Sequence, residues 1–237
     1  MNRFKSDFKQ TIRAVAFVTL ASALPAAAET VEVVPGVQVT KRTYAAPVNE
    51  QPFFGFAAKS SEQKAEDEKF VSAMIGATGS REKAFEEATK RAWIAIQAGK
   101  VREAALRFNQ AFLVSPEQSS VYHGFAVIAQ ARFSDFDAAD ELFKIALKQP
   151  NPVRALKADY GRMLLIAKRP RDAQEVLDQA VKEAPDFSDA WTNLAWARFQ
   201  NGDSAAACVA AEEAAKKRPS NNSISDLTAV RSVAQCK

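Results

Sequence analysis

The side chains able to carry chemistry in this 237-residue chain are few and far apart. Cysteine occurs only at Cys208 and Cys236, and the single histidine is His123. A zinc site needs three or four converging Cys, His or carboxylate ligands, and a nucleophilic triad needs a base oriented beside its nucleophile. One histidine and two cysteines assemble neither from recognised parts. No glycine-rich phosphate loop follows a strand pattern, and no Gly-x-Ser-x-Gly elbow is present. Adjacent carboxylates do occur, at Glu86 and Glu87 and at Glu212 and Glu213, but on helical patterns whose polar faces carry charge in any case. The chain therefore reads as a non-enzyme without metal or cofactor. What chemistry remains is a possible disulfide and the recognition of a partner, and both depend on how helices place the residues.

Those helices are written as a repeat. Ala104, Phe108, Ala111 and Pro116 set a spacing that returns as Ala173, Leu177, Ala180, Pro185 and as Ala207, Ala211, Ala214, Pro219. Ala139, Phe143, Ala146 and Pro150 form a further copy whose proline comes one residue early, so the leading alanines recur at 35, 34 and 34 residues. Small residues are needed where two helices cross closely, while Phe108 and Phe143 fill the wider gaps. The prolines stop the second helices, because proline cannot continue the backbone ladder. Gly99 and Gly202 suit left-handed turns, and Ser134 and Lys168 hold the equivalent places. A period of about 34 residues describes stacked helix pairs, each burying its remaining apolar stripe against the next.

The pattern resembles the tetratricopeptide repeat family. Trp191, Leu194 and Ala195, the turn Asn201-Gly202-Asp203, then Ala207, Ala214 and Pro219 carry the resemblance best, and Tyr160-Gly161 stands where the family has Leu-Gly. The resemblance implies an all-α, right-handed superhelical solenoid of about four helix pairs over residues 80–221, whose concave groove is lined by the first helix of each pair. Carried over helix by helix, the groove residues are Lys90, Trp93 and Gln97; His123, Val127 and Gln130; Asp159, Arg162 and Leu165; and Asn193, Trp196 and Phe199. Rigid aromatics beside directional polar groups suit a short peptide or a partner's helix. Trp93 and Phe199 have a second reading as core between repeats. A family subgroup that grips C-terminal carboxylates uses groove lysines and asparagines. Ala88 to Lys90, His123 and Asp159 stand where most of that set would fall, which disfavours an acidic terminus as ligand.

The flanks differ from the repeats. Residues 1–28 read as a cleaved secretory signal, with Arg3, Lys5, Lys9 and Arg13, an apolar run from Ala14 to Leu24, and Ala26-Ala27-Ala28 before Glu29. An uncleaved anchor is the competing reading, against which stand the short run and Pro25. Cleavage places the protein in the periplasm, with membrane association only through a partner. It also removes four basic residues and one acid from 32 Lys and Arg and 28 Asp and Glu, leaving 28 against 27. So near-neutral a chain, without a basic stripe along a helix face, is not read as a nucleic-acid binder.

Residues 29–60 are expected to form an extended or disordered arm. A hairpin through Pro35-Gly36 is conceivable but marginal alone, and Phe53, Phe54 and Phe56 either dock on the first helices or await a partner. Residues 61–79 predict an N-terminal capping helix burying Phe70, Val71 and Met74, broken from Gly76 to Ser80. Residues 222–237 predict a C-terminal cap started by Ser225 and running through Leu227, Val230 and Val233. Folding the chain back between Pro219 and Ser225 sets Cys208 and Cys236 at one height on antiparallel neighbours. A disulfide is then reasonable in an exported protein, two unpaired thiols being the alternative. Two functions follow: an adaptor or assembly factor for an envelope complex, or a self-assembling subunit, a homo-oligomer joined through the arm.

Overall fold

A computed structural model describes residues 29–219 and 221–237. The expected signal at 1–28 lies outside the described residues. Strands β1 (Thr30–Val34) and β2 (Val37–Thr40) come first, then short turns at Val48–Glu50 and Pro52–Phe56, then the helices. These are α1 (Ser61–Thr78), α2 (Arg81–Gln97), α3 (Val101–Val114), α4 (Ser119–Phe133), α5 (Phe136–Ala146), α6 (Leu156–Ile166), α7 (Pro170–Glu183), α8 (Ser188–Gln200), α9 (Ser204–Ala215) and α10 (Asn221–Val233). The hairpins α2/α3, α4/α5, α6/α7 and α8/α9 stack in order, each second helix packing on the next first helix.

The repeated alanines sit where the helices cross. Ala104, Ala139, Ala173 and Ala207 are fully buried, as are Phe108, Phe143 and Leu177 in the wider gaps. The turns inside the four pairs share one backbone form. Gly99 and Gly202 lie at φ 70° and 88°, and Ser134 and Lys168 take the same left-handed place at φ 53° and 59° despite their side chains. In each turn the next N–H reaches five or six residues back, as from Lys100 to Ala95, from Asp135 to Ala129 and from Arg169 to Leu164. That bond satisfies carbonyls which the helix end would otherwise leave open. A polar staple also recurs: Ser119 donates to the Ala146 carbonyl and Ser188 to that of Ala214, tying the start of a first helix to the end of its partner.

The flanks depart from expectation in three ways. The 29–60 segment is a β-hairpin and two tight turns lying against α3, α4 and α5, not an extended arm. The hairpin persists because it is docked; alone it would be marginal. Helix α1, opened by a capping box at Ser60 and closed by Gly79 at φ 90°, runs through Gly76 and buries no side chain completely, since only α2 and α3 flank it. Phe70, Val71 and Met74 are therefore half-buried. Helix α10 begins before Ser225, at Asn221, and covers the last pair with Leu227 and Val230, but Val233 is 48% exposed and Ala234 is the residue buried at that end instead.

Candidate functional site

The face built from the first helices divides into a filled half and an open half. Trp93 of α2 lies edge-on to Phe108, ring centres 5.2 Å apart, and against His123 at 4.6 Å. His123 of α4 is 1% exposed, and its Nε2 is 2.9 Å from Oδ2 of Asp159 on α6. In the tautomer that donates to this carboxylate, the imidazole satisfies a charge on the neighbouring pair. Phe143 adds a ring 5.6 Å from His123. Trp93, His123 and Asp159 thus bridge three consecutive pairs with their own side chains, leaving His123 no surface for a ligand. Lys90 and Gln97 are exposed on α2 and Gln130 is half-buried on α4; they border this half without joining it.

The other half is open. Arg162, Leu165 and Ile166 of α6, Asn193, Trp196 and Gln200 of α8 and Asp226 of α10 line a recess of about 240 Å³. Asn193 is buried and donates to the Ala158 carbonyl at 3.0 Å, joining α8 to α6 rather than facing a ligand. Trp196 is half-buried with Phe199 edge-on at 6.1 Å. Arg162 reaches Asp226 at 2.6 Å across α8, with about half of the arginine side chain exposed. An exposed pair of this kind contributes at most about 1 kcal/mol, so a partner can replace either member at small cost. Ile166 is 49% exposed beside it. The recess joins an aromatic wall, an aliphatic floor and one charged donor. Asp226, Ile166 and Gln200 were not identified from sequence: Asp226 is 64 residues from Arg162, and only the packing of α10 on α8 brings them together.

A second built site lies along α3, α4 and α5, and the chain itself fills it. Asn109 of α3, 1% exposed, donates from Nδ2 to the carbonyls of Asn49 and Gln51 and accepts from Phe54 N–H at Oδ1. Glu50 is buried between Arg102, at 2.9 Å, and Arg132. Its hydrogen bond to Arg102, with Arg132 behind it, holds the carboxyl below the usual carboxylate range. Phe53 enters a pocket of rings, with Phe125 at 4.6 Å, Phe112 at 5.4 Å and Tyr122 at 6.1 Å. Farther along, Tyr44 stacks on Phe133 at 3.8 Å and donates to Asp135 at 3.0 Å, and Thr40 N–H donates to Glu141 at 2.7 Å.

Cys208 of α9 and Cys236, beyond α10, form a disulfide with Cα atoms 5.3 Å apart. Among the described residues no group of three His, Cys, Asp or Glu side chains could hold a metal ion, and no helix is long and apolar enough to cross a membrane.

Residues 164–223 match the tetratricopeptide repeat family model. No curated protein matches the chain in sequence. Among solved structures, PilF of Pseudomonas aeruginosa is similar at 20% identity with a TM-score of 0.56, over 65% of this chain and 71% of that one. PilW, described as a widely conserved type IV pilus biogenesis factor, is similar at 16% identity with a TM-score of 0.51, over 75% of this chain and 89% of that one. Yeast Tom70 is similar at 19% identity with a TM-score of 0.51, and this chain spans 44% of it. At such identities the likeness is one of fold, and the fold is the all-α tetratricopeptide solenoid.

Proposed function

We propose that this protein is a non-catalytic binding scaffold of the cell envelope that holds a partner's peptide or helix in the open half of its first-helix face. The observation that carries this reading is the recess of about 240 Å³ beside Arg162, Ile166 and Trp196. A partner side chain placed there covers Trp196 and Ile166, and a polar or charged group beside it takes over Arg162 or Asp226. Truncating residues of this kind, a large aromatic and an arginine at a desolvated centre, dominates many interfaces. The envelope setting is supported by the basic start, the apolar run and the alanine triplet before Glu29, together with a fold shared with a pilus biogenesis factor. A photo-crosslinker at Ile166 tests the surface: it should capture a partner in cells, while the same group at exposed Val209 of α9 should not. Capture from Val209 alone would move the binding surface off the recess. Mass spectrometry of the exported protein should find an N-terminus near Glu29; retention of Met1 would remove the envelope setting.

A further inference from the structure

The segment 40–56 sits in the α3–α5 site as a peptide sits in a receptor. Asn109 reads its backbone through three hydrogen bonds, Arg102 and Arg132 hold its one buried carboxylate, and a ring pocket takes Phe53. These partners all belong to the first two pairs. The end of the docked segment is of another kind. Phe53, Phe54, Gly55 and Phe56 all lie at positive φ, 54°, 53°, 61° and 56°, three of the four are L residues for which this region is unfavourable, and of these Phe56 stands next to the joint, after the residues that Asn109 and the ring pocket hold. Four residues, 57–60, lead into α1, which buries no side chain completely: Ala57 and Ala58 are exposed, Lys59 lies over the Phe54 ring at 3.5 Å and pairs with Asp67, and Ser60 caps the helix. A docked segment, a strained turn and a short hinge that is exposed at Ala57 and Ala58 are the ingredients that favour exchange of an element between identical chains.

We propose that the N-terminal arm exchanges between two copies of this chain, so that Glu50 and Phe53 of one copy complete the α3–α5 site of the other. Every contact of the site is kept in the exchanged pair, because the segment delivered is identical. What changes is the joint. Residues 57–60 then run from one copy to the other, and the turn at Phe56 no longer has to return the chain to its own α1. Reciprocal donation closes the assembly at two copies, with the same surfaces used on both sides. The occupant is set by the pocket's chemistry: an acidic residue followed three positions later by an aromatic one, which the chain supplies as Glu50 and Phe53.

The test uses the purified protein with a four-residue protease recognition sequence ending in serine substituted for Ala57–Ser60, so that the hinge length and the cap of α1 are unchanged. Light scattering is read from micromolar to millimolar concentration, and the dimer is isolated by gel filtration and then cut at the hinge. Exchange predicts a dimer that collapses to monomer size on cutting while the severed arm stays bound to the helices. A monomer at every concentration, or a dimer that survives the cut, overturns the proposal. In the otherwise unaltered chain, Phe56→Gly relaxes the closed turn and should weaken dimerisation by about tenfold or more; unchanged dimerisation contradicts strain as its cause.

Discussion

Gly161 of α6 lies so close under Leu177 of α7 that a Cβ at position 161 would stand 2.4 Å from the leucine Cγ. No carbon approaches another at that distance without displacement, and the atom met is the branch point of a fully buried side chain. The third helix pair therefore closes over a position that only glycine fills.

Gly161→Leu should lower stability by about 1 to 3 kcal/mol, the usual cost of forcing extra carbon into a packed interior. Urea unfolding followed by circular dichroism checks this. A midpoint equal to that of the wild type would mean that α6 and α7 do not meet at this residue.

The Cys208–Cys236 disulfide closes a separation of 28 residues and fixes the end of α10 against α9. Loop-closure entropy assigns such a bridge about 3 to 4 kcal/mol. Cys236→Ser should lower the thermal midpoint accordingly, and amide exchange should quicken first in α10. Full alkylation of both thiols in the native oxidised protein would contradict the bridge.

Glu50 gives the arm a pH dependence. Arg102 and Arg132 hold the folded carboxyl below the ordinary value near 4.5, so the stabilisation is fully present above that value and is lost as pH falls through the lower folded pKa. Arm docking, followed by protease protection of residues 40–56, should hold from neutrality to about pH 5 and weaken below the ordinary carboxylate range. Glu50→Gln should flatten this dependence. The same acid loss in Glu50→Gln would assign it to another group.

The repeat was legible because close crossings admit only small residues, and Ala104, Ala139, Ala173 and Ala207 mark four of them at one period. Gly161, at the Leu-Gly place of the repeat, obeys the same rule. The groove was legible only in part. Helix position identifies which residues face inward, not which of them their neighbours cover. His123 disappears beneath Trp93 and Asp159, and Asn193 turns to the Ala158 carbonyl. Asp226 and the arm site depend on long-range packing. Glu50 meets Arg102 and Arg132 across 52 and 82 residues, and no local pattern announces such a meeting. The hairpin reads as marginal by itself because its stability lies in α3 to α5.

The binding role of the α6–α8–α10 recess is tested most directly by capture from envelope extract with the Trp196→Ala, Arg162→Ala double variant. Both side chains lie at the recess and are partly exposed, so the variant should retain the helical circular dichroism signal. Its capture of the partner taken by the wild type should weaken by at least about thirtyfold, the equivalent of about 2 kcal/mol. Capture at wild-type strength by the folded double variant would contradict the recess as the binding surface.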